Sequence, residues 1–221
     1  MRKALALPVL VLAVAAAPIV GVCSGDSSPA KSSAVGRFVS LTASGVNVDY
    51  TPLASPQDAV GKANLIVEGT LTDVVDGIGL TYPNPLYTER QANTYATFVI
   101  TVERVISGDP AKVRNGRVYA TVYKSRAAEI DQLAGANPHP RIVAVLDDTT
   151  NWSPAPGVRV NRPAAVPSSA PLYAPYTDGI WLQGPADAQM YGLHADPHEL
   201  AAPWGRPKTV SQFSTALQRA A

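Results

Sequence analysis

The sequence predicts a mainly β protein built on a small five-stranded barrel, with a helix between strands three and four and another at the C-terminus. Twenty prolines and sixteen glycines, with only 16% charged residues, are typical of strands joined by turns rather than of a helical bundle. Three segments alternate apolar and polar residues with the period of two that a half-buried strand requires. In chain order the elements are three strands, a helix and two strands, which is the order of an OB-fold. We therefore expect an OB-like barrel.

The first three strands are predicted at residues 65–75, 95–106 and 117–123. Each places apolar side chains on one face, and turn-forming residues separate the second strand from the third. Gly69 interrupts the first strand and predicts a bulge or a bend there, because an added residue or a sharp turn favours glycine. We expect these strands to form a meander that is the scaffold of the domain.

The second half of the barrel is predicted from a helix and two further strands. The helix covers 125–134, where Ser125 can cap its start and Gly135 can close its end. Residues 142–146 (IVAVL) form a continuous apolar run, which indicates a buried fourth strand. Residues 179–183 and 189–193 predict a closing hairpin.

Two more helices complete a single domain over 55–221. Ser55 followed by Pro56 favours a short helix before the first strand. At the C-terminus, Thr209 and Gln212 form a capping box, and apolar residues follow on one helical face. The C-terminal helix is expected to dock on the barrel.

The N-terminus is predicted to carry an export signal. Residues 1–3 (MRK) precede an uncharged apolar run over 4–22. Residues 20–23 (VGVC), with the polar run that follows, resemble the lipobox of bacterial lipoproteins, although Val22 stands where that family has Gly, Ala or Ser. The resemblance implies a signal peptide over 1–23 and a lipidated Cys23. The alternatives are an uncleaved membrane anchor and ordinary secretion, and all three place the domain outside the cytoplasm.

A flexible tether is predicted over 24–54. This stretch is rich in Ser, Ala, Gly and Pro and has little periodicity. Within it, residues 37–41 and 46–50 have the pattern of short strands that would pair with the barrel edge.

Charge and cysteine content exclude two classes of function. The formal net charge is +1, and without Arg2 and Lys3 the chain has 16 basic and 17 acidic residues. The basic residues are scattered singly, whereas a nucleic-acid binder concentrates them on one face among stacking aromatics. We expect no nucleic-acid partner. Cys23 is the sole cysteine, so the chain has neither an internal disulfide nor a cysteine-based metal site.

The strand pattern also carries a family resemblance. Residues 63–75 (ANLIVEGTLTDVV), 95–109 (YATFVITVERVISGD) and 116–125 (GRVYATVYKS) resemble exported bacterial proteins of unknown function. More distantly, they are similar to the netrin-like module of tissue inhibitors of metalloproteinases. The resemblance implies a barrel but no activity, because those inhibitors act through an N-terminal Cys-x-Cys segment that this chain lacks.

Two long loops are the expected binding surface. Residues 76–94 follow the first strand, and residues 147–178 precede the last strand and hold six prolines. In an OB-fold these two loops flank the binding face. Their aromatic residues are therefore candidate binding anchors, with packing against the barrel as the alternative: Tyr82, Tyr87, Trp152, Tyr173 and Tyr176.

The densest group of potential metal ligands is His194, Asp196, His198 and Glu199. Pro197 breaks the helical geometry that would place the two histidines on one face, so a surface turn is the competing interpretation. His194 and His198 are weak metal candidates. No catalytic residue and no cofactor are predicted, because the chain has no nucleophile elbow and no phosphate-binding glycine loop.

These observations predict an extracytoplasmic, non-enzymatic binding or structural module. It would be anchored to the membrane through lipidated Cys23 or an uncleaved apolar segment, and it would bind a protein or a cell-envelope ligand. One alternative is a metal-dependent hydrolase that uses the 194–199 group. The other is an extracellular protease inhibitor, by analogy of fold.

Overall fold

The computed structural model describes residues 33–47, 50–87 and 94–221. Its strands are β1 (Leu65–Asp76), β2 (Gly79–Thr81), β3 (Tyr95–Gly108), β4 (Arg117–Tyr123), β5 (Arg141–Asp148), β6 (Arg159–Asn161), β7 (Tyr173–Gln183) and β8 (Tyr191–Gly192). Its α-helices are α1 (Ala34–Ala43), α2 (Pro56–Lys62), α3 (Ile130–Ala136) and α4 (Val210–Ala220).

Five strands close into a barrel in the order β4-β3-β1-β5-β7. All neighbouring pairs in this series are antiparallel, and the barrel closes through a parallel pairing between Ala120 of β4 and Tyr173 of β7. Helix α3 lies between the third and fourth barrel strands in the chain. The predicted mainly β fold with an OB-like barrel and a C-terminal helix is therefore confirmed.

The predicted bulge at Gly69 is also confirmed. The register between β1 and β3 shifts at Glu68 and Gly69. A Cβ atom on Gly69 would lie 2.0 Å from the backbone oxygen of Thr101. Only glycine allows this close approach of the two strands.

The last barrel strand begins six residues earlier than predicted. Strand β7 starts at Tyr173, so the prediction that 173–178 belong to a loop was wrong. Pro175 lies opposite Leu146, where the register with β5 shifts, and a proline is tolerated in a strand at such an irregularity. The first half of β7 was not predicted as a strand because proline generally disfavours strands.

Helix α3 begins later than predicted. It starts at Ile130 rather than after Ser125, and Gly135 lies inside it. The buried Lys124 side chain donates hydrogen bonds to the carbonyl oxygens of Ser125 and Ala128, at 3.2 and 2.6 Å. These bonds hold the segment before the helix in a turn.

Part of the predicted tether is a helix. Ser33 caps α1 by accepting a hydrogen bond from the amide of Gly36 at 2.9 Å. Val35 and Phe38 of α1 are buried in the barrel core, and the Phe38 ring lies 5.9 Å from that of Phe98. The short strand predicted at 37–41 was therefore wrong. The strand predicted at 46–50 includes residues 48 and 49, which lie outside the described residues, as does the tether before Ser33.

Three apolar clusters stabilise the domain. The largest fills the barrel and includes residues of α1 and α3. A second lies on the outer face of β1, β5 and β7, where Trp181 of β7 packs against Phe213 of α4 with ring centroids 5.5 Å apart. In the third, Val166 and Leu172 cover Val99 and Tyr119 on the outer face of β3 and β4.

Within residues 33–47, 50–87 and 94–221, no helix has both the length and the apolar character to cross a bilayer. The predicted export signal and Cys23 lie outside these residues.

Candidate functional site

The two long loops of the barrel join each other. Strand β2, in the loop after β1, pairs with β6, in the loop between β5 and β7, through the register Gly79 with Asn161 and Thr81 with Arg159. The Asn161 side-chain amide also donates a hydrogen bond of 2.8 Å to the Thr81 hydroxyl. The loops therefore form one connected cover beside the outer face of β3 and β4.

A pocket of about 230 Å³ opens at the edge of this cover. It lies where β4 and β7 diverge beyond their parallel pairing, and both loops contribute to its wall. The lining residues are Ile78, Tyr95, Thr121, Tyr123, Thr149, Trp152, Ala174, Pro175, Thr177 and His194.

Aromatic side chains form the outer part of the pocket. Tyr95 of β3 pairs in register with Tyr123 of β4, and their ring centroids lie 4.9 Å apart. Burial, with a hydrogen bond to Tyr123, raises the pKa of the Tyr95 hydroxyl, which therefore stays neutral at physiological pH. Tyr123 and Trp152 are each 42% exposed, so both present ring surface to solvent at the mouth of the pocket.

His194 supplies a neutral imidazole to the wall. It follows β8, and burial lowers its pKa, while a hydrogen bond with the Tyr123 backbone acts in the opposite direction. The larger effect is burial, because the charged form loses more hydration than one hydrogen bond restores. A neutral imidazole has one nitrogen that can accept a hydrogen bond.

Two polar atoms of the pocket wall are buried without a partner among the described residues. They are Nε2 of His194 and Oγ1 of Thr121. The hydroxyl of Thr97, which pairs in register with Thr121, is a third such atom in the adjoining strand. An unsatisfied buried polar group costs about 1–3 kcal/mol. These atoms have no surface in contact with water, so a ligand in the pocket recovers this free energy only when the side chains turn toward it.

Ionised side chains do not contribute to this lining. Among the described lining residues there is no Asp, Glu, Lys or Arg. The pocket therefore favours an uncharged ligand, because a charged ligand would lose hydration without gaining an opposite charge.

The predicted aromatic anchors are distributed unevenly around this site. Trp152 lines the pocket, and Tyr82 and Tyr87 lie in the loop before Tyr95, with their ring centroids 6.1 Å apart. Tyr173 is only 1% exposed because it belongs to the barrel wall, so its side chain packs in the core, which was the alternative to a surface anchor. Tyr176 packs against the second cluster and donates a hydrogen bond to the carbonyl of Lys62 at 3.2 Å.

The strand residues of the pocket were not among the predicted site residues. Tyr95, Thr121 and Tyr123 were predicted as strand residues, but nothing placed them beside the loops. The outward alternation of Tyr119, Thr121 and Tyr123 on β4 was the available signal, since this face of an OB-fold is the one that the two loops flank.

The proposed group of metal ligands does not assemble. Asp196 and Glu199 form a capping box around a 3-10 helix at Pro197–Glu199, in which Asp196 accepts from the amide of His198 at 2.9 Å. The His198 side chain is 97% exposed, whereas His194 faces the pocket. The described part of the chain has no group of three His, Cys, Asp or Glu side chains close enough to hold a metal ion.

A second depression of about 340 Å³ is polar and lies at the β3–β4 turn. Lys112 pairs with Asp148 at 3.7 Å, Asp109 accepts from the amide of Ala111, and Arg114 also lines the depression. Unlike the aromatic pocket, this depression is lined by charged side chains.

Comparison with known proteins found no matching protein family, no similar curated protein and no similar solved structure. The structure confirms the OB-like barrel, but these comparisons give no support to the resemblance of the strand pattern to exported bacterial proteins or to the netrin-like module.

Proposed function

We propose that this protein is an extracytoplasmic binding module that acts without catalysis and binds an uncharged ligand in the aromatic pocket. The proposal rests on the position of the exposed apolar side chains. The large hydrophobic side chains that are exposed among the described residues are Leu86, Tyr87, Tyr123 and Trp152. All four lie at the pocket or in the loop that leads to it, and a concentration of exposed aromatic surface marks an interaction site.

The proposed location rests on the N-terminal sequence. The apolar export signal and the lipobox-like residues before Cys23 support a domain held at the outer surface of the membrane. Mass spectrometry of the membrane fraction tests this part. A diacylglyceryl group on an N-terminal Cys23 is expected, and an intact Met1 or a different N-terminus would contradict it.

Binding is tested by affinity capture from cell-envelope extract with the full chain, a Trp152→Ala variant and a Gln132→Ala control. Gln132 is exposed on α3, away from the pocket. We expect the wild type and the control to retain the same material and the Trp152 variant to lose it. Identical capture by all three chains would contradict the proposal.

The stability of the Trp152→Ala variant is compared with that of Trp181→Ala, which changes a buried tryptophan. Trp152 is 42% exposed, whereas Trp181 is fully buried and its indole donates a hydrogen bond of 2.7 Å to the carbonyl of Asp178. We expect Trp152→Ala to change the free energy of unfolding by less than about 1 kcal/mol and Trp181→Ala to lower it by about 3–5 kcal/mol. Urea denaturation measures both.

A further inference from the structure

We propose that the ligand of the aromatic pocket is an uncharged saccharide ring. This inference rests on the proposed function, because it requires the pocket to be a binding site. It identifies the ligand from the size, shape and polarity of the wall.

The size of the pocket limits the ligand to about one ring. Its volume of about 230 Å³ is below the range of roughly 300–1,000 Å³ that sites for drug-sized ligands occupy. One sugar ring of a longer chain also fits this limit, because Tyr123 and Trp152 of the pocket wall are partly exposed to solvent.

The exposed aromatic rings match the faces of a sugar. A pyranose ring carries C–H groups on its faces and hydroxyl groups around its edge. The C–H groups pack on the electron-rich faces of Tyr123 and Trp152, which are both 42% exposed. Such contacts cover aromatic surface while the outer hydroxyls of the sugar stay in water.

The unsatisfied polar atoms decide between a sugar and a purely apolar ring. An apolar ligand would leave Nε2 of His194 and Oγ1 of Thr121 without partners, and each would keep its cost of an unmade hydrogen bond. Both atoms are closed off from water in the described chain. The side chains of His194 and Thr121 must therefore turn toward the pocket before a sugar hydroxyl can donate to Nε2 or bond to Oγ1.

The charge of the wall decides between neutral and charged sugars. No ionised side chain lines the pocket among the described residues. A phosphorylated or acidic sugar would bury its charge without a partner. Neutral hexoses and N-acetylated hexosamines are therefore the expected class.

Tryptophan fluorescence provides a direct readout of binding. Trp181 and Trp204 are buried, at 0% and 3% exposure, so a ligand at the pocket changes chiefly the emission of Trp152. The full chain is titrated with glucose, galactose, mannose and N-acetylglucosamine, and with short oligosaccharides of the same units. We expect a saturable blue shift with at least one of them. Stronger binding of the oligosaccharide would identify a glycan chain as the source, and equal binding a free sugar.

The Thr121→Val variant tests the assigned contact. It keeps the shape of the side chain and removes a buried hydroxyl that has no partner among the described residues, so the variant is expected to be at least as stable as the wild type. We expect its Kd for the sugar to rise by roughly 3- to 10-fold. Thr70→Val is the matched control, because the Thr70 hydroxyl lies on β1 and bonds to Glu103 at 3.0 Å. No saturable shift with any sugar, or equal Kd values for wild type and Thr121→Val, would overturn the proposal.

A second experiment distinguishes a failure of the saccharide proposal from a failure of the proposed binding function. Envelope extract is treated either with periodate, which cleaves the vicinal diols of hexoses, or with a glycosidase that hydrolyses chains of N-acetylated hexosamines, whose 4-linked units have no vicinal diol. The wild type and Trp152→Ala then capture material from each extract. Loss of the Trp152-dependent material after either treatment supports a saccharide ligand. Capture that depends on Trp152 but survives both treatments overturns the saccharide while the binding function stands. Capture independent of Trp152 overturns both.

Discussion

Ser214 of α4 donates a hydrogen bond of 2.7 Å to the carboxylate of Glu68 in β1. Glu68 is buried beneath the helix, and its other carboxylate oxygen binds Arg141 of β5. Arg141 in turn donates to the hydroxyl of Ser211 at 3.1 Å. The C-terminal helix is thus fixed on the barrel by polar bonds as well as by its apolar face.

The first prediction concerns this contact. Ser214→Ala should lower the free energy of unfolding by about 1.5–3 kcal/mol, because a buried hydrogen bond to a charged group is lost. Ser211→Ala is the control, since its exposed hydroxyl should contribute no more than about 0.5 kcal/mol. Urea denaturation of the two variants measures the difference, and equal losses would contradict the assigned role of Glu68.

The second prediction concerns alkaline stability. Burial, with the nearby charges of Asp148 and Asp109, raises the pKa of Tyr173 to about 12, against about 10 in an unfolded chain. The unfolded state therefore loses its proton first, and the stability that is present below about pH 10 is lost as the pH rises through 12. The free energy of unfolding should fall over this interval and fall less in Tyr173→Phe.

Urea denaturation between pH 9 and pH 12 provides the measurement for Tyr173. The pKa of Tyr95 is raised as well, so Tyr173→Phe should retain part of the pH dependence. Parallel pH profiles for the wild type and the variant would show that the Tyr173 hydroxyl is not the group responsible.

The third prediction compares two glycines. Gly69→Ala would place a Cβ atom 2.0 Å from the Thr101 oxygen, so the bulge must deform, at a cost of about 3 kcal/mol or more. Gly61 lies in α2, where a Cβ atom would have no neighbour within 4 Å. Gly61→Ala should stabilise the protein by about 0.5–1 kcal/mol, because alanine loses less backbone entropy in a helix. Thermal unfolding gives both values, and a tolerated Gly69→Ala would contradict the close strand contact.

The barrel strands were predictable because the residue pattern that identifies each strand lies within the strand itself. Period-two alternation identified β1, β3 and β4, and a continuous apolar run identified β5. Helix α1 was missed because its residues, AVGRFVSLTA, mix β-branched, glycine and hydroxyl side chains that favour no single structure. Contacts of Val35 and Phe38 with the barrel core stabilise it, and no local pattern contains that information.

The pocket was predictable in its general position but not in its composition. The two loops were expected at the binding face, and Trp152 was among the expected residues. Tyr95, Thr121 and His194 come from three separate elements, and the closure of β4 against β7 brings them together. A parallel pairing between residues 53 positions apart, Ala120 and Tyr173, leaves no signature in the sequence near either strand.

The position of α1 limits how far the proposed lipid anchor can hold the domain from the bilayer. Ser33 caps a helix whose side chains are buried in the barrel core, and Cys23 precedes it by only ten residues. A chain of that length spans at most about 35 Å when fully extended. With a lipid on Cys23, the end of the barrel that receives α1 would therefore stay within about 35 Å of the membrane surface, and the domain could not reach partners beyond that range without leaving its anchor.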